Sequence, residues 1–247
     1  MKMDTIKEKI FDFALGEALT DATNRVYSFL SKDEKNGNLK QKEKDDKISA
    51  RKHTIINASR DCIKDYITKV IATSSDEAIT LDDIDCLFYT TAITVCDNIN
   101  NNKELKNDTF TFGHAQKLIN MTVKYLYIAN YFTGHMLDKF KRFHCPMDSK
   151  MKDCVVQEYK KHLSSNPKGE NLLNGISWSN VSWSKLNLTK NEEDKQKCPA
   201  YDAYQKMVRY LAENTIDEDG NRIVLSPLEY DFYMWNNHEE NSEQQKE

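Results

Sequence analysis

Two side chains in this sequence could do covalent chemistry. Lys117 is set into an otherwise apolar helical pattern within the stretch from Phe110 to Asp153. Asp148 stands two residues after Pro146 and opens a further helix. A neutral lysine amine is a nucleophile, whereas an ammonium is not. A helix start and partial burial both favour the neutral form of an amine. A carboxylate brought beside it in a cleft could assist its deprotonation or steady a cationic sugar carbon. Each residue also has a plainer reading. Lys117 can snorkel to water from an apolar helix, and Asp148 can serve as an N-cap.

These side chains must be positioned by helices. The chain has 247 residues with 7 Gly and 4 Pro, so helix breakers are sparse. Apolar residues recur at helical spacing from Ile6 to Leu30, Ile48 to Ala72 and Ile84 to Ile99. A fourth and most apolar helix is expected over Phe112–Phe132, broken at Gly134, and a short fifth over Met136–Phe143. On the fourth, Lys117, Met121, Lys124 and Ile128 share a face. Cys145-Pro146 stops the fifth, because the residue before proline avoids the α region. Asp148 then caps a helix to about Leu163, and residues 164–197 are loop-like. Helices follow over Ala200–Asn214 and from Ser226-Pro227 to Trp235. No run of alternating strands is present, so the expected fold class is all-α.

Composition narrows the function classes. Mean hydropathy is -0.74. The best apolar run, Val123–Phe132, is too short to span a bilayer and carries Lys124 and Asn130. The first residues, MKMDTIKEKIFDF, lack the apolar core of a signal peptide. The 6 cysteines are scattered without a CxxC pair, which reads as reduced thiols in a cytoplasmic setting. No metal site is expected; His144-Cys145 with Cys154 is the nearest approach to a ligand cluster. Net charge is -4, yet residues 103–161 hold 11 Lys+Arg against 6 Asp+Glu, a local +5. Such a block can hold a phosphate backbone, or it can be an ordinary solvated face.

The order Gln116-Lys117, Lys124-Tyr125, then Pro146-Met147-Asp148 at a helix start resembles the helix-hairpin-helix DNA glycosylase superfamily, in layout closest to the archaeal 8-oxoguanine type. The resemblance covers about residues 110–155. It implies a two-lobed helical fold with a cleft between the lobes: a hairpin-like lobe over about 106–163, a second from flanking helices 1–105 and 164–236, and a disordered tail at 237–247. It implies that Lys117 attacks the sugar C1′ to form a Schiff base, that Asp148 assists, and that the partner is duplex DNA bearing a modified base. No cofactor is implied. Gly113, His114, Gln116, Lys124 and Arg142 would contact DNA, and Phe143 would stack on a base. One departure concerns the hairpin turn. The family's Leu-Pro-Gly-x-Gly is replaced by Thr111-Phe112-Gly113-His114, with one glycine.

Other readings stand beside this one. A helical nucleic-acid- or protein-binding module without catalysis, in a stress or phage-defence setting, fits the single-glycine hairpin and the acidic flanks. A helical ribonuclease of the HEPN type needs a histidine about five residues after an arginine, and none of Arg51, Arg60, Arg142 or Arg209 has one. No Gly-rich phosphate loop, HExxH pair or GxSxG elbow occurs. Trp178, Trp183 and Trp235 read first as helix-packing residues, with base stacking as the alternative.

Overall fold

The computed structural model describes residues 3–72, 80–105, 108–132, 134, 139–165, 170–190, 196–217, 219–224 and 226–244. The fold is all-α, with 71% of the chain helical. It divides into two compact units, Met1–Gly134 and His135–Glu247. The boundary therefore falls inside the 106–163 segment that the family resemblance treats as one lobe.

The N-terminal unit holds α1 (Met3–Thr23), α2 (Lys32–Asn36), α3 (Gln41–Ala72), α4 (Leu81–Asn100) and α5 (Phe112–Ile128). α1 packs on α5 and α3, and α4 packs on α3 and α5, so the four long helices close into a bundle. α1 buries Phe11, Ala14, Leu15, Ala18, Leu19 and Ala22 at spacings of three and four. Its helix stops at Thr23 rather than Leu30. Arg25 takes a left-handed φ of 61°, and Tyr27 turns inward against Phe110 and His114. α3 begins at Gln41, seven residues before the apolar pattern does. Its charged first turns are held by Glu34, which accepts from Arg51 and Lys47. α1 and α3 are also tied by Arg60, which pairs with Glu8 and Asp12, and by Lys64 on Glu8.

α4 and α5 start with capping boxes. Thr80 and Asp83 exchange side-chain and backbone bonds at one, Thr111 and His114 at the other. α5 ends at Ile128, short of the expected Phe132. Asn130 has φ 52°, its N–H reaches the Tyr127 carbonyl, and the Tyr131 N–H reaches that of Leu126. This is a Schellman motif closed by Asn rather than Gly.

The C-terminal unit holds α6 (Ser149–Ser165), α7 (Pro199–Asn214) and α8 (Pro227–Gln244). α7 packs on both other helices, and α6 touches α8. Part of the expected Met136–Phe143 helix lies outside the described residues. Lys139 and Phe140 are helical, and a turn follows through Arg142. The loop expected over 164–197 carries two 3-10 turns, Trp178–Asn180 and Trp183–Lys185, each burying its indole. It also carries a ribbon in which β1 (Thr189–Lys190) pairs antiparallel with β2 (Gln196–Lys197). Ser226 caps α8 by accepting from the Glu229 N–H, with Pro227 in the first helical position. α8 runs on to Gln244, so helix occupies residues 237–244 of the segment expected as a disordered tail.

Candidate functional site

α5 carries five of the residues singled out in the sequence. It is buried along most of its length, and its remaining positions are Lys117, Lys124, Tyr125, Tyr127 and Ile128. Lys117 and Lys124 are half-buried, seven residues apart on one face. The face continues through Met121, which is 8% exposed, to Ile128 at 59%. Lys117 thus stands at the margin of a packed helix.

Gly113, His114 and Gln116 differ from the surface positions that DNA contacts require. All three are buried. His114 is 3% exposed, lies edge-on to Tyr27 and tilted against Phe110, and uses Nδ1 at the Thr111 backbone and hydroxyl. Burial pushes its pKa down to about 4, against a smaller opposing pull from Asp108. A neutral, interior histidine caps a helix and fills a core; it offers no positive charge to a phosphate. Gln116 is fully buried and accepts from Asn120 Nδ2 at 3.3 Å.

In the C-terminal unit, Asp148 is half-buried and its Oδ1 accepts from the Met151 N–H at 2.9 Å. That is the N-cap geometry expected from its sequence position. Lys117 and Asp148 thus belong to different units. Arg142 is half-buried. Phe143 is 1% exposed and its ring tilts against Phe140 at 5.7 Å, so it presents no open face to a base.

The segment leading into Asp148 has no regular secondary structure and is held by α7 side chains. The Gln205 carboxamide accepts from the Cys145 N–H at 3.1 Å and donates to the Cys145 carbonyl at 2.7 Å, reproducing a backbone pairing. Tyr204 donates to the Pro146 carbonyl at 2.8 Å. Burial raises the Tyr204 hydroxyl well above its usual pKa, and Cys145, Asp231 and Asp148 add to this.

His144 lies 3.1 Å from the Arg209 guanidinium through Nε2 and 3.1 Å from the Tyr201 hydroxyl through Nδ1. A guanidinium only donates. Nε2 is therefore the acceptor, His144 is neutral, and its proton sits on Nδ1 facing Tyr201. Burial pushes Cys198 up to about 11 and also raises Cys154, which keeps both as thiols rather than nucleophilic thiolates.

Two features of this unit were not picked out from the sequence. Lys152 is 6% exposed, and its ammonium donates to the Trp178 and Val181 carbonyls at 3.1 and 3.0 Å. Its signal was its register, on the buried face with Met151, Val155 and Tyr159. The second is the outer face of α6. Lys150, Lys160 and Lys161 are exposed within one arc of the helix, with Asp153 and Gln157 among them. Lys161 pairs with Glu158, and Lys150 lies 3.9 Å over the ring of Trp235. The sequence shows these lysines but not which face they share with an aromatic ring from α8.

Among the described residues, no group of His, Cys, Asp and Glu could hold a metal ion, and no helix is long and apolar enough to cross a membrane. No protein-family model, curated protein or solved structure matches the chain.

Proposed function

We propose that this protein binds nucleic acid without catalysis, through the basic outer face of α6. The observation that carries the reading is the exposure of Lys150, Lys160 and Lys161 on one helical arc. In the N-terminal unit Arg51, Lys47, Arg60 and Lys64 are held by Glu34, Glu8 and Asp12, and on the α6 arc Lys161 pairs with Glu158. Cations at exposed positions release condensed counterions when they meet phosphates, which is the main source of affinity in sequence-independent binding. The test is fluorescence anisotropy of labelled oligonucleotides at low salt, comparing wild type with Lys160→Glu/Lys161→Glu. The reading expects binding that the charge reversal removes. Equal affinity of the two proteins rules it out.

A second reading keeps the catalytic lysine. Lys117 would attack C1′ of a damaged nucleotide, and the base would leave as the Schiff base forms. It is supported by the half-buried setting of Lys117 on an otherwise packed turn. Borohydride trapping on duplex DNA containing 8-oxoguanine decides it. The reading requires a covalent adduct with wild type and none with Lys117→Gln.

A further inference from the structure

We infer that Trp235 is a stacking platform for an unpaired base, which makes single-stranded nucleic acid the ligand class of the α6 face. This rests on the nucleic-acid reading above. Three tryptophans occur in the chain, and the structure separates them. Trp178 and Trp183 are 8% and 7% exposed, with their turns packed into the C-terminal unit. Trp235 is half-buried on α8, and the Lys150 ammonium covers one face of its ring at 3.9 Å.

A cation over an indole face is held by the ring quadrupole. Lysine carries that cation on a flexible stem, so the cover is displaceable. A base can take the ring face while the ammonium moves to the adjoining phosphate, and neither partner is left without compensation. The α6 arc continues through Asp153 and Gln157 to two further lysines, of which Lys161 pairs with Glu158. Lys160 and Lys161 lie ten and eleven residues beyond Lys150, which at helical rise is roughly 15–17 Å along the axis. That length accommodates several consecutive nucleotides. Stacking on an aromatic ring beside a positive track is the usual physical basis of sequence-tolerant single-strand binding. A duplex hides its base faces and can use only the lysines.

The test measures anisotropy with (dT)20, (rU)20 and a 20-base-pair duplex against wild type, Trp235→Ala and Trp235→Phe. Circular dichroism confirms that both variants remain folded. The expected result is single-strand binding weakened about tenfold by Trp235→Ala and largely restored by Trp235→Phe, with duplex affinity changed less than about twofold. The two oligonucleotides tell DNA from RNA preference within the same class. Unchanged single-strand binding by Trp235→Ala overturns the stacking role while leaving the basic face intact. Equal loss for duplex and single strand also overturns it. Displacement of the oligonucleotide by poly-glutamate at equal charge overturns it in favour of an acidic protein partner. Failure of wild type to bind any of the three ligands refutes the underlying nucleic-acid reading itself.

Discussion

Replacing Lys152 with methionine should destabilise the C-terminal unit by an amount the local geometry sets. The ammonium donates to the Val181 carbonyl at 3.0 Å and the Trp178 carbonyl at 3.1 Å, and it lies 3.1 Å from Asp153. Hydrogen bonds from a charged donor contribute about 1.5–3 kcal/mol each. The Trp178 carbonyl also accepts from the Val181 N–H at 3.3 Å, so it keeps a partner when the lysine is gone. The Val181 carbonyl loses the ammonium outright. Methionine preserves most of the stem packing and removes the cost of burying a charge. The net loss should be about 2.5 kcal/mol, a fall in Tm of roughly 8 °C for a unit slightly above 100 residues. Thermal unfolding followed by tryptophan fluorescence is the assay, because Trp178 and Trp183 lie in the clamped segment. Asp153 is 66% exposed, so Asp153→Asn serves as a control and should cost less than about 1 kcal/mol. A Tm within roughly 2 °C of wild type for Lys152→Met would show that the ammonium is not a clamp.

The remaining predictions concern the helix starts and the His144 network. His114 has its pKa pushed down to about 4 from 6.5, so the unfolded chain takes up the proton first on acidification. Stability should be full above pH 6.5 and fall by about 3 kcal/mol between pH 6.5 and 4. His114→Gln keeps a capping-box residue, and urea unfolding across that range should show this slope largely removed; an unaltered slope refutes the assignment. Thr80→Ala should cost about 1 kcal/mol in urea denaturation by removing the α4 cap, and no change in midpoint would contradict the capping role. Nitrogen-15 NMR should find His144 as the neutral Nδ1–H tautomer, and detection of the Nε2–H form would overturn the direction drawn from Arg209.

Much of the architecture was legible because helical periodicity is written in side-chain chemistry. The Asp148 cap and the helical setting of Lys117 each follow from local residue patterns. The misses have tertiary causes. α1 stops at Thr23 because Tyr27 finds a site against Phe110 and His114, residues far along the chain. α3 starts early because Glu34 organises Arg51 and Lys47 in a charged stretch that carries no apolar signal. The family resemblance implied that His114 and Phe143 face DNA, yet both are interior. The Lys150–Trp235 contact joins α6 to α8, and no spacing rule connects residues that distant.

The salt dependence of oligonucleotide binding tests the central claim most directly. A lysine that contacts phosphate contributes about 0.7 to the slope of log K against log salt for a single strand. Replacing Lys150, Lys160 and Lys161 together with glutamine should make the wild-type slope shallower by about 2. Identical slopes for the two proteins would contradict the α6 face as the polyanion site, and no measurable wild-type binding at low salt would remove the nucleic-acid account altogether.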